Sequence, residues 1–244
     1  SYTRYVGQVF TLFVQGAGGG GGGNNGTMSG AGGGAGGYVV ALIKLDHDAS
    51  PYWKRNSVPI TVGAGGSGGY HTRVIGGTII PTGFGGDTGI PWNDDDMVVT
   101  AWGGDGGSSA QGLNSGTRGN GGSFRVGEPV TWATLVIGKD GATAMSGGLN
   151  DGNTNNHTNT YDGITTGRWT PDDQDWELST PSRIVTASGY GGNGGSSPLG
   201  NGGNGGNGGS DGSGYGSGGG GSSNHVSQYK AGGKGAGGYF AIYY

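Results

Sequence analysis

Blocks of glycine dominate this chain and constrain most of what it can become. Glycine fills 67 of 244 positions, in blocks at 16–37, 63–69, 83–89, 103–122, 189–221 and 232–238. It has no side chain to bury and loses the most backbone entropy on folding. An ordered structure must therefore rest on backbone hydrogen bonds and close backbone packing. In the block 189–221, Asn201, Asn204 and Asn207 recur at every third position, each followed by two glycines. Three residues is the repeat of an extended helix of the polyproline-II type, which has no internal hydrogen bonds. Its N–H and C=O groups point outward, where neighbouring helices pair them, with Cα–H···O contacts in support. The pattern predicts packed polyglycine-II helices, with Asn201 and Asn204 turned to solvent. A collagen triple helix would need strict Gly-X-Y phase and abundant proline, but the phase is broken and only eight prolines are present.

Between the blocks lie short runs rich in β-branched and aromatic residues, which read as strands. They begin at Val9, Tyr38, Val58, Val98, Trp132, Ile184 and Tyr239 and end at Val14, Ile43, Val62, Trp102, Ile137, Ala187 and Tyr243. A flexible glycine linker would leave each run's apolar surface in water, which argues against it. Trp102 and Trp132 fall inside two of these runs and are expected in the core. No capped amphipathic helix is found. The predicted fold is mostly irregular and all-β. It is a bundle of polyglycine-II helices with short flanking strands and no significant α-helix, in one domain over 1–244. Within it, 1–16 carries the N-terminal strand, 149–182 a long polar loop, 189–238 the polyglycine-rich block and 239–244 the closing strand.

Composition excludes several functions. Charged residues are 11% with a net charge of −4, so no basic stripe exists to bind nucleic acid. No run of 18 apolar residues is present, so no helical membrane insertion is expected. Cysteine is absent, which leaves the redox compartment open. With this much glycine, G-x-G-x-x-G arises roughly five times by chance and carries no weight. The carboxylate runs Asp94, Asp95, Asp96 and Asp172, Asp173, Asp175, Glu177 lack the spacing of a calcium loop. The four histidines, His47, His71, His157 and His225, lie in separate segments. No nucleophile elbow or paired-histidine motif occurs. The expectation is a non-enzymatic protein with no cofactor, metal or catalytic residue.

The non-glycine segments carry the better candidates. Tyr52, Trp53, Trp92, Tyr161, Trp169 and Trp176 sit among Asp, Asn and Arg. Exposed aromatics supply large contact area at low entropy cost and are frequent hot spots. Their flat faces also suit sugar rings, while Asp and Asn bond hydroxyls. Filling small cores beneath the loops is the competing role for each ring.

At residues 10–20, 34–42, 60–69, 99–107 and 233–243 an apolar run adjoins a glycine block, and the order of these junctions resembles the glycine-rich domain of phage tail fibre proteins. Residues 10–20, Phe-Thr-Leu-Phe-Val-Gln followed directly by Gly16, Ala17 and Gly18, look like its opening strand and glycine block. Residues 34–42 resemble its second strand, and 60–69, Ile-Thr-Val-Gly-Ala-Gly-Gly-Ser-Gly-Gly, its most recognisable stretch. Residues 99–107 fit the next junction and 233–243 the closing strand. The resemblance runs from about Val9 to the C-terminus, with 130–182 as a departure. It implies a polyglycine-helix sandwich at a fibre tip, in the virion or outside the cell. Its loops would contact a bacterial cell-surface receptor, a glycan or an outer-membrane protein. The implied partners are that receptor and a phage fibre shaft protein or identical subunits. A self-assembling subunit of an extracellular glycine-rich filament is the alternative, because edge strands template association.

Overall fold

The computed structural model describes residues 9–26, 28–44, 59–71, 79–80, 82–91, 97–111, 116–126, 133–144, 156–161, 165–167, 177–179, 183–188, 191–223 and 229–243. Among them there is no α-helix, and the ordered elements are short antiparallel strands and glycine tracts.

Two small sheets form one end of the molecule. The first has the order β13 (Tyr239–Tyr243), β1 (Val9–Gln15), β2 (Tyr38–Lys44), β8 (Ala133–Lys139). The chain's first and last strands thus pair with each other, with Leu12 opposite Ile242 and Val14 opposite Phe240. The second has the order β5 (Thr88–Pro91), β6 (Met97–Ala101), β7 (Phe124–Val126). Strand side chains alternate in facing, so Leu12 and Val14 of β1 share one face with Val39 and Ala41 of β2. Ile90, Val99 and Ala101 of the second sheet complete that cluster, and Phe124 and Phe240 pack against it. The opposite face of the first sheet buries Tyr38 and Val40 against Phe13, Ala142 and Leu199. Of the seven predicted strands, all but Val58–Val62 fall where expected, to within one or two residues at their ends.

Each strand of this core continues directly into a glycine tract, and the tracts carry the rest of the fold. Tract 16–23 follows β1. Its successive N–H groups donate to three different neighbours and return to the first after three residues. Gly16 bonds Gly37, Ala17 bonds Gly86, Gly18 bonds Ala236, and Gly19 bonds Gly34, at 2.8–3.0 Å. The partners are tracts 30–37, 82–87 and 231–238. Its carbonyls accept from three more: Gly104 onto Ala17, Gly66 onto Gly18 and Gly219 onto Gly19. Tract 16–23 is therefore ringed by six others, every backbone group turned outward to a partner. Tract 30–37 is ringed in the same way by 16–23, 102–110, 116–123, 140–144, 191–196 and 216–223. Tract 216–223 touches 16–23, 30–37, 191–196, 201–207, 209–213 and 231–238. These three tracts touch one another and are buried along their length. Among the described residues, nine other tracts surround them: 62–69, 82–87, 102–110, 116–123, 140–144, 191–196, 201–207, 209–213 and 231–238.

Close approach makes glycine obligatory at many positions inside this array, although Ala17, Ala31 and Ala35 are accommodated within it. A Cβ at Gly33 would stand 2.2 Å from the Gly19 carbonyl oxygen. Where a tract reverses, the requirement is conformational: Gly208, with φ +84°, turns the chain from 201–207 into 209–213. Gln15 sits at the seam between sheet and tracts, fully buried. Its Nε2 donates to the carbonyls of Gly16, Gly36 and Gly37 at 3.1, 2.9 and 2.9 Å.

Asn201, Asn204 and Asn207 are exposed, on the solvent side of their tract. Several other expectations are corrected. The strand expected at Val58–Val62 shrinks to a single bridge from Thr61 to Gly89, with Ile60 and Val62 exposed. Pro59 has no N–H to give a ladder there, and the backbone from Gly63 onward bonds other tracts. Trp102 is 41% exposed and lies beyond β6, outside the core. The polar stretch 149–182 is not all loop. It holds β9 (Asn156–Tyr161), β10 (Thr165–Gly167) and β11 (Glu177–Ser179). β9 pairs with β12 (Arg183–Ser188), whose Ile, Val and Thr favour a pleated ladder. β10 pairs with β11. The block 103–122 divides into two antiparallel tracts, and 189–221 divides further at its turns. Trp132 lies outside the described residues.

Candidate functional site

The tracts run alternately away from the sheets and back, so connecting segments attach at the two ends of a rigid block. Segment 45–58 leaves from β2 and returns beside β5, where Thr61 bridges Gly89. Segment 92–96 joins β5 to β6. Both attach at the sheet end. Residues 145–190 attach at the far end, because Gly192 donates to Gly30 there and Ala144 to Gly119. Tyr52, Trp53, Trp92, Trp169 and Trp176 lie outside the described residues. Tyr161 is the last residue of β9 and pairs with Arg183 of β12. The anchors of the six candidates thus divide between opposite ends. Of the carboxylate runs, Asp94–Asp96 and Asp172–Asp175 also lie outside the described residues. Among those described, no group of three or more His, Asp or Glu stands together.

The described residues contain a second arrangement that sequence reasoning did not single out. Tracts 82–87, 102–110 and 116–123 lie side by side. Gly85 donates to Gly104, while Trp102, Asp105 and Ser108 donate to Ser123, Asn120 and Thr117. Residues three apart on a tract point the same way, so these registers align their outward positions in rows. The first row carries Phe84 and Asp87, the second Trp102, Asp105, Ser108 and Gln111, and the third Thr117, Asn120 and Ser123. Phe84 is 71% exposed and Trp102 41%. Side chains bridge the rows. Asn120 Nδ2 donates to Asp105 Oδ2 at 3.1 Å, and Ser108 and Thr117 share a hydroxyl bond of 2.9 Å. Ser123 Oγ donates to Asp140 on the next tract at 2.5 Å. Asp87 Oδ1 accepts from the Gly103 N–H at 2.9 Å. The result is a flat, fixed surface of two exposed rings set among carboxylates, an amide and hydroxyls.

At the edge of the first sheet a smaller aromatic group gathers. Tyr215 and Tyr239 lie 4.8 Å apart, and Phe13 meets Tyr243 edge-on at 5.1 Å. A hydrogen bond with Tyr243 raises the Tyr239 phenol above its ordinary value, and burial and the neighbouring Tyr243 and Tyr215 add to this.

A family model described as a glycine-rich domain matches residues 2–244. The chain belongs to that family. The match takes in the sheets, the tract array and the segment 145–190 of this glycine-rich domain alike. No curated protein matches the chain.

Proposed function

We propose that this glycine-rich domain is a non-enzymatic receptor-binding module, carried at the tip of a phage tail fibre, in the virion or outside the cell. It would recognise a bacterial surface glycan or outer-membrane protein. The observation that supports this reading is the division of labour in the chain. A backbone-bonded block fixes the ends of segments rich in Tyr, Trp, Asp and Asn. Binding residues commonly sit on loops held by a rigid scaffold. In this reading Tyr52, Trp53, Trp92, Tyr161, Trp169 and Trp176 are the contacts, and a fibre shaft protein or identical subunits hold the domain. Nothing in the reading calls for a cofactor or metal.

The test is adsorption of the labelled domain to host cells. Replacing Trp53, Trp92, Trp169 and Trp176 by Ala is expected to abolish labelling while circular dichroism stays unchanged. Full labelling by the folded variant would refute the assignment. A filament subunit is the second reading, supported by β13, an edge strand of the first sheet with Ile242 and Tyr243 exposed. Electron microscopy separates the two: discrete particles on cells favour the binding module, long unbranched fibres the filament.

A further inference from the structure

We propose that the flat face of tracts 82–87, 102–110 and 116–123 binds a neutral polysaccharide chain, with Phe84 and Trp102 as stacking platforms. Asp87, Asp105 and Asn120 would bond its hydroxyls. The surface goes beyond the loop reading above and shares no residue with it.

Three observations carry the inference. The first is the exposure of two large rings, Phe84 and Trp102, on adjacent tracts of one face; Val62, Tyr70, Tyr215 and Tyr229 are exposed too, but on other tracts or at tract ends. Gly85 bonds Gly104, so Phe84 stands level with Asp105, one three-residue turn from Trp102. At an extended rise of about 3.1 Å per residue, the two platforms are offset by roughly 9 Å along the tracts. That span suits alternate sugar rings of an extended chain, with one ring bridging between the two platforms. The second is the company the rings keep. A sugar ring offers an apolar C–H face for stacking and hydroxyls around its edge. The rings here alternate with acceptors and donors placed for those hydroxyls. Asp105 gives Asn120 one oxygen and, as a carboxylate, retains acceptor capacity at the other. Asp87 is held in place by the Gly103 N–H.

The third is charge. The rows carry Asp87 and Asp105, and the chain's net charge is −4. Arg118, the nearest cation on these tracts, is out of phase with Thr117, Asn120 and Ser123. An acidic polymer would meet like charge, as would a second copy docking Asp against Asp. A neutral, hydroxyl-rich chain meets neither. The surface is also preorganised. A Cβ at Gly103 would stand 1.8 Å from the Gly85 oxygen, a measure of how tightly the tracts are locked. Little conformational entropy is then lost on binding.

The test is calorimetry of the whole chain with cellohexaose and chitohexaose, and co-sedimentation with cellulose and chitin. The wild type is expected to bind at least one of these. Phe84→Ala and Trp102→Ala should each weaken that binding about tenfold or more, as loss of a central aromatic anchor does. Asn204→Ala, on a different tract, should leave it unchanged. Should Trp102→Ala disturb folding, Phe84→Ala decides alone, since so exposed a ring supports little else. The proposal is overturned if the wild type binds none of the four probes, or if both variants bind as well as wild type. It is also overturned if light scattering shows a dimer that Phe84→Ala dissolves, since the face then serves a second copy. Variants at Trp53, Trp92, Trp169 and Trp176 should retain polysaccharide binding even where cell adsorption is lost, so the two readings fail separately.

Discussion

Adding one methyl group at Gly33 should do more damage than truncating any surface side chain. Gly33 lies in the buried tract 30–37, where a Cβ would stand 2.2 Å from the Gly19 oxygen and 2.5 Å from its carbon. Ordinary contact begins near 3.4 Å. One tract must therefore retreat by about 1.2 Å, the difference between 3.4 and 2.2. Gly33 donates to Gly219 and accepts from Gly195, both at 2.9 Å, while neighbouring Gly34 accepts from Gly19 at 2.9 Å and donates to Asp105 at 2.8 Å. A retreat of that size carries two or three of these bonds beyond hydrogen-bonding distance in a region closed to water. Each buried group so stranded costs about 1–3 kcal/mol, giving a loss of roughly 3–6 kcal/mol for Gly33→Ala. Gly206→Ala is the internal control. A Cβ there meets nothing within 4 Å, and the site is not among those with positive φ. It should be neutral or stabilising by about 0.4–1 kcal/mol through the unfolded state. Urea unfolding followed by tryptophan fluorescence measures both. A Gly33→Ala midpoint within about 1 kcal/mol of wild type would refute the claim that interlocked backbones hold the fold.

Two further outcomes follow from single residues. Gln15→Leu should cost about 1–3 kcal/mol, because the Gly36 carbonyl loses the amide donor that ties β1 to the tracts while the Gly37 carbonyl keeps the Gly16 N–H at 2.8 Å; the same urea titration reads it. The raised Tyr239 phenol predicts a loss of stability at alkaline pH. Its folded pKa exceeds its unfolded value, so the stabilisation is fully present below about pH 10. It is lost as pH rises through the folded value. Tyr239→Phe should flatten that alkaline decline, measured as the unfolding midpoint between neutral pH and about pH 11.

The sequence by itself determined the building principle. Glycine in blocks has no side chains to pack, so only backbone-to-backbone bonding can order it, and the Asn201, Asn204, Asn207 repeat shows the three-residue phase directly. Short runs of β-branched and aromatic residues marked β1, β2 and β13, because such side chains favour a pleated, buried ladder. The same three-residue phase places Trp102 with Asp105 and Ser108 on one side of a tract. Trp102 also ends an apolar run and so reads locally as core, but the phase of the tract turns it to solvent. What the sequence could not fix was which tracts become neighbours. One glycine run is chemically identical to the next, so local order carries no address. The strands to which the tracts are fused supply it. Pairing of β1 with β2 and β13 sets tract 16–23 beside 30–37 and 231–238, and the β5–β6–β7 sheet aligns 82–87, 102–110 and 116–123. Only that tertiary pairing brings Phe84, Trp102, Asp105 and Asn120, spread over 37 positions of chain, onto a single face.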